Sequence, residues 1–88
     1  MKIVRKVKVK NPLGLHTRPA ASIVKILQPR KSTVHFTYKN ETINARSIMS
    51  ILMLAAKKNA LIEITVEGVD AEATMSHLLG AFEQEFGE

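Results

Sequence analysis

A single histidine, His16, stands in the stretch Gly14-Leu15-His16-Thr17-Arg18-Pro19-Ala20, between a glycine turn and a proline, with no cysteine, carboxylate or second histidine in the segment. A metal centre needs more ligands than this, and a nucleophile–base–acid set needs more partners. One imidazole suffices for direct nucleophilic attack. Pro19 fits the first turn of a helix, where its missing N–H costs nothing, which makes Thr17 or Arg18 the expected cap and aims their backbone N–H groups out of the helix end. Those amides and the positive end of the helix dipole stabilise an anion, and the planar guanidinium of Arg18 suits phosphate oxygens. A phosphoryl group beside His16 fits that arrangement, with a ring nitrogen lone pair to attack phosphorus. The plain alternative, an idle loop histidine, leaves Gly14, Arg18 and Pro19 unexplained together.

The elements that position this stretch follow from hydrophobic periodicity. Met1, Ile3, Val7 and Val9 fall on odd positions with lysines between them, which predicts a half-buried strand up to Lys10. The sequence Asn11-Pro12-Leu13-Gly14 breaks it, and Ala20, Ile23, Val24 and Leu27 then mark a helix ended by Pro29. Val34, Phe36 and Tyr38 predict a second strand, with Thr42–Asn44 returning as its hairpin partner after the turn signal at 39–41. Ser47 opens a second helix carrying Ile48, Ile51, Leu52 and Ala55, expected to close on Lys57, Lys58 and Asn59. Ile62, Ile64 and Val66 predict a fourth strand. Asp70 is suited to cap a last helix with Ala71, Met75, Leu78, Leu79, Phe82 and Phe86 in one stripe. Each strand has one apolar face, so helices cover only one side of the sheet. The fold class is therefore α+β, an open-faced β-sandwich of order β-α-β-β-α-β-α, with a four-stranded antiparallel sheet under three helices.

Composition bounds the rest. The 88 residues, 45% hydrophobic, suffice for one domain, 1–88. No segment is long and apolar enough to insert in a membrane, the N-terminal residues lack the core of a secretory signal, and no cysteine is present, so the expected location is cytoplasmic. Lys and Arg number 13 against 8 Asp and Glu, a net charge of +5, which favours acidic surfaces or phosphorylated ligands. His35 belongs to the polar sheet face and His77 falls off the helical stripe. Neither completes a metal-ligand or nucleotide-binding pattern, so no metal and no cofactor are expected.

The segment Asn11-Pro12-Leu13-Gly14-Leu15-His16-Thr17-Arg18-Pro19-Ala20-Ala21 closely resembles the active-site signature of HPr, the histidine-containing phosphocarrier family of the bacterial sugar phosphotransferase system. Residues 46–56 resemble the family's second signature, and length and element order agree over the whole chain. The resemblance implies a stoichiometric carrier rather than an enzyme. Enzyme I, charged from phosphoenolpyruvate, would phosphorylate His16 on the ring nitrogen nearer the backbone, with Arg18 and the Thr17 backbone amide steadying the group. Enzyme IIA components would then receive it.

By itself Ser47 reads as an N-cap. The resemblance adds that it occupies the place of the serine modified by HPr kinase/phosphorylase, where a phosphate would set about −1.5 to −2 charges on a docking surface. Ordinary core suits Ile48, Ile51 and Leu52, whereas Met49 and Met53 lie about 100° or more around from the Ile51 side and suit an adaptable contact patch. In the family this helix docks partners, which brings Arg46, Ile48, Met49, Leu52 and Met53 together as the partner-binding set, with Arg18, Lys25 and Lys57 as further rim charges. A monomer is expected. Rival readings are a carrier of the nitrogen-related branch, a mainly regulatory paralog, which the presence of His16 disfavours, and a nucleic-acid-binding module using the Lys-rich first strand, which the scarcity of aromatics disfavours. Residues 67–88 carry a strand-turn-helix pattern and no functional motif, so they support the fold alone.

Overall fold

The computed structural model describes residues 1–88. Along the chain run β1 (Lys2–Lys8), α1 (Thr17–Leu27), β2 (Thr33–Tyr38), β3 (Glu41–Asn44), α2 (Ile48–Leu54), β4 (Leu61–Glu67) and α3 (Ala71–Glu83), then a 3-10 turn at Glu85–Gly87. The strands form one sheet in the order β1-β4-β2-β3, each neighbouring pair antiparallel. Register explains why the helices cover one face. Val34 lies opposite Val66 and Phe36 opposite Ile64, all buried, while His35, Thr37, Glu63 and Thr65 between them face the other way and stay partly exposed. The result is the α+β open-faced sandwich expected from the alternation. Arg5 interrupts the apolar odd positions of β1. It is exposed and lines a cleft with Glu72, Met75 and Leu79 of α3, away from His16.

Ile23 and Leu27 of α1, Ile51 of α2, and Leu78 and Phe82 of α3 lose essentially all contact with solvent against the sheet. Phe36 and Phe82 meet edge to face with ring centroids 5.9 Å apart, a geometry that adds about 0.5–1.5 kcal/mol to the burial of the rings. Lys39 (φ 48°) and Asn40 (φ 67°) make the two-residue turn between β2 and β3, the left-handed pair that a tight hairpin with right-handed strand twist demands.

Three local expectations are corrected. Helix α2 ends at Leu54 and does not reach Lys57–Asn59, because Ala55 turns left-handed (φ 52°, ψ 37°) and its N–H donates to the Leu52 carbonyl. That exit lets the Ala56 carbonyl accept from the Leu15 N–H at 2.9 Å, tying the end of α2 to the loop before α1. Asp70 precedes α3, yet its side chain does not cap it. It instead accepts from the Lys31 N–H (2.8 Å), the Ser32 N–H (3.0 Å) and the Ser32 hydroxyl, fastening the start of β2 to that of α3. The Ser32 hydroxyl and the Lys31 amide hold the Asp70 carboxyl down at about 2. Finally, α3 stops at Glu83, and Phe86 (φ 55°) lies in the following turn, its ring meeting Phe82 edge to face with centroids 4.9 Å apart.

Candidate active site

The loop before α1 is built from within. Asn11 is fully buried. Its carbonyl accepts from the Gly14 N–H at 3.1 Å, and its Nδ2 donates to the Gly14 carbonyl, closing a tight turn. Gly14 has φ +69°, and a Cβ there would stand 2.3 Å from the Ala56 carbonyl oxygen, so both conformation and close approach demand glycine. Leu15 plugs into the core and its N–H takes the Ala56 carbonyl. His16 is presented on this fixed platform.

His16 itself is the N-cap of α1, extended at φ −79° and ψ −166°, with its carbonyl accepting from the Ala20 N–H at 3.0 Å. The expected cap, Thr17 or Arg18, is displaced by one or two residues because both already lie inside the helix. The shift has a chemical consequence. Thr17 and Arg18 supply the first two N–H groups, the third helical residue is Pro19 with none, and the first turn holds no acidic side chain. Two amides are thus left without an intrahelical acceptor immediately after the imidazole. Thr17 and Arg18 are both exposed, and the His16 side chain keeps 29% of its surface, enough for a reacting group to approach the ring.

One neighbour of the imidazole was not foreseen. The Glu88 carboxylate meets His16 Nε2, with Oε2 at 2.8 Å and Oε1 at 3.0 Å, and Asn11 Nδ2 donates to the same Oε1 at 3.1 Å. The hydrogen bond to His16 comes first among the interactions that hold the Glu88 carboxyl below its ordinary range. Residues 67–88 therefore do more than complete the fold. The contact spans 72 residues of sequence, and no local pattern announces it.

Leu13, His16, Leu52, Ala55 and Lys57 line a shallow cleft, so the end of α2 walls one side of the histidine. Leu13 of this cleft is 75% exposed, and on α2 itself Met49 (67%) and Met53 (75%) also face solvent. Leu13 was missed by periodicity because it belongs to neither a strand nor a helix. Its signal is a large apolar side chain inside a turn, between Pro12 and Gly14. Ile48 corrects the core expectation, since it is exposed at 39%, whereas Ile51 is buried and Leu52 half-buried.

Arg46 departs from the expected free rim charge. Its guanidinium donates to the carbonyls of Leu27 (2.7 Å), Arg30 (2.8 Å) and Ser32 (2.7 Å), gathering the segment between α1 and β2. Ser47 caps α2, its hydroxyl oxygen accepting from the Ser50 N–H at 3.2 Å. It stands at the far end of α2 from the cleft, about 10 Å away along seven residues. On β1, Lys2 lies opposite Glu67 and Lys6 opposite Glu63, which interrupts the basic strip that a nucleic acid would follow. His35 stays on the open sheet face, and His77 on α3 accepts from Arg30 at 3.2 Å through Nδ1.

The family model for the PTS HPr component phosphorylation site matches residues 3–84. The chain belongs to the HPr phosphocarrier family of the phosphotransferase system. It is 44% identical over 80 residues to the phosphocarrier protein HPr of Chlamydia muridarum, an alignment covering 91% of this chain and 77% of that one. The crystal structure of HPr-C-His from Thermoanaerobacter tengcongensis is similar at a TM-score of 0.93 and 32% identity, covering 98% and 97% of the two chains. An HPr dimer from the same organism is similar at 0.79 and 34%, covering 93% and 94%. Glu88 lies beyond the residues that the HPr family model matches.

Proposed function

We propose that the chain accepts a phosphoryl group on Nδ1 of His16 from phosphorylated enzyme I and passes it to enzyme IIA components of sugar uptake. The observation that carries this reading is His16 at the N-cap of α1, followed by the two acceptor-free amides of Thr17 and Arg18 and then by Pro19. Nδ1 is the reacting atom because Nε2 is engaged by Glu88. The amides and the Arg18 guanidinium hold the phosphoryl oxygens, and Met49, Met53, Leu52, Ile48 and Leu13 form the apolar patch on which partners dock. The protein acts as a monomeric single domain in the cytoplasm. Ser47 is the regulatory position, modified by an HPr kinase/phosphorylase, and Arg46 beside it supports the start of the docking helix.

Incubation with enzyme I and labelled phosphoenolpyruvate tests the assignment. Label should enter in an acid-labile form, leave on addition of an enzyme IIA, and be absent from His16→Ala. Acid-labile label that persists on His16→Ala refutes it.

A further inference from the structure

The cleft beside His16 holds a charge without a partner. Of its seven lining residues five are apolar, and the other two are His16 and Lys57. Lys57 is exposed, and the ion pairs of the chain, Lys10 with Glu83 and His16 with Glu88, leave its ammonium free. Its backbone is fixed close to the histidine. The Ala56 carbonyl before it accepts from the Leu15 N–H at 2.9 Å, and its own carbonyl accepts from the Ala60 N–H at 3.0 Å. A Cβ on Gly14 would stand 2.9 Å from Lys57 Cα, so the two backbones touch. From Gly14 to His16 the chain advances at most roughly 7 Å, a gap that the four-carbon lysine stem and the imidazole span between them.

We propose that Lys57 is a second cation for the phosphoryl group on His16, closing from the segment after α2 a site that Arg18 and the helix amides form from α1. The proposal rests on the carrier reading of His16. Charge balance leads to it. Before transfer, Arg18 and Glu88 lie within electrostatic reach of each other and their charges cancel. In transfer the Nδ1 lone pair forms the bond to phosphorus while the donor's bond to phosphorus breaks, its electron pair leaving with the donor. With hydrogen kept on Nε2, the ring gains one positive charge, and the phosphoryl group brings about −1.5 to −2. The loaded site is left with an uncompensated negative charge of up to about one. Helix amides supply only partial charges, and Lys57 is the one full cation lining the cleft. Leu13, Leu52 and Ala55 beside it hold water off one side, which strengthens the attraction. The charges acting on the phosphoryl group are thus Arg18 from α1, Lys57 from beyond α2, Glu88 from the C-terminal turn and the ring itself. The cations favour its dianion, and Glu88 opposes it.

The test is a phosphorus NMR titration against pH of the full chain phosphorylated on His16, with no partner present. Lys57→Gln should raise the pH at which the phosphoryl group takes up its proton by about 0.5, the scale of a partly exposed ion pair. The equilibrium of phosphoryl exchange with enzyme I should shift about threefold toward enzyme I, which is the same effect read as a ratio. Lys57→Arg keeps the charge and should restore both. Lys58→Gln removes an exposed charge that does not line the cleft and should leave both as in the wild type. A Lys57→Gln titration that matches the wild type overturns the proposal, and a raised KM for enzyme I beside it would make Lys57 a docking charge. An equal rise in Lys58→Gln also overturns it, since net charge alone would then explain the shift. A wild type that takes up no acid-labile phosphate refutes the carrier reading and this proposal with it, a failure told apart because uptake is read before the titration.

Discussion

Gly14→Ala probes how the fold aims the histidine. A Cβ at this position would stand 2.3 Å from the Ala56 carbonyl oxygen and 2.9 Å from Lys57 Cα. Ordinary contact begins near 3.4 Å, so the loop and the end of α2 must separate by about 1 Å, and both contacts are backbone that cannot rotate away. Alanine at φ +69° costs about 1–2 kcal/mol. Loss of the Leu15–Ala56 hydrogen bond adds about 1 kcal/mol. The sum, about 2–3 kcal/mol, should appear as a lower midpoint in urea denaturation with an unchanged slope. Because the same separation moves His16, phosphorylation by enzyme I should also fall, by about a hundredfold for a 1 Å displacement. Gly80→Ala is the control. Gly80 is exposed in α3 with nothing within 4 Å of its would-be Cβ, so alanine should stabilise by about 0.5–1 kcal/mol and leave phosphorylation alone. A Gly14→Ala protein with wild-type stability and wild-type phosphorylation would refute the claim that this close approach positions the histidine.

Asp70→Asn should destabilise at neutral pH by weakening the hold on Lys31 and Ser32. The folded-state pKa of Asp70, about 2, lies below the ordinary 3.8, so the stabilisation is present above about pH 4 and is lost as pH falls toward 2. The gap between the two proteins in thermal or urea unfolding should therefore narrow over that range, and a gap constant with pH contradicts the assignment. Met49→Glu should leave stability within about 0.5 kcal/mol of wild type, because the side chain is exposed, while weakening enzyme I binding in titration calorimetry. A folded Met49→Glu protein that binds normally removes Met49 from the docking patch. Ser47→Asp should raise the KM for phosphorylation by enzyme I, and added salt should reduce the effect as screening grows. Identical kinetics for the wild type and for protein phosphorylated on Ser47 would reduce Ser47 to a helix cap.

The parts of the molecule legible in the sequence are those governed by neighbours along the chain. Ile62, Ile64 and Val66 alternate because one face of β4 is buried, and Pro19 marks the start of α1 because its missing N–H is harmless there. What escaped depends on contacts between distant segments. Ala55 ends α2 early because the next carbonyl is needed by Leu15, some forty residues back. Asp70 looks like a cap in sequence, and only the placement of β2 beside α3 gives its carboxylate different partners. Arg46 looks like a surface charge in sequence because three carbonyl acceptors in a separate segment leave no mark on its own neighbourhood. Ile48 belongs to a seven-residue helix with apolar residues on several sides, where periodicity cannot choose the buried one. At the site, His16, Thr17 and Arg18 were readable from one contiguous stretch. Leu13 and Glu88 were not, since a turn has no periodic face and the contact of Glu88 with His16 crosses nearly the whole chain.

The most direct measurement is NMR of 15N-labelled protein before and after phosphorylation by enzyme I and phosphoenolpyruvate. The expected spectrum shows phosphorus coupled to Nδ1 of His16, with the amide protons of Thr17 and Arg18 moved downfield as they take up the phosphoryl oxygens. Phosphorus on any other atom, or Thr17 and Arg18 amides that do not respond to it, would contradict the assignment of the start of α1 as the phosphoryl-holding site.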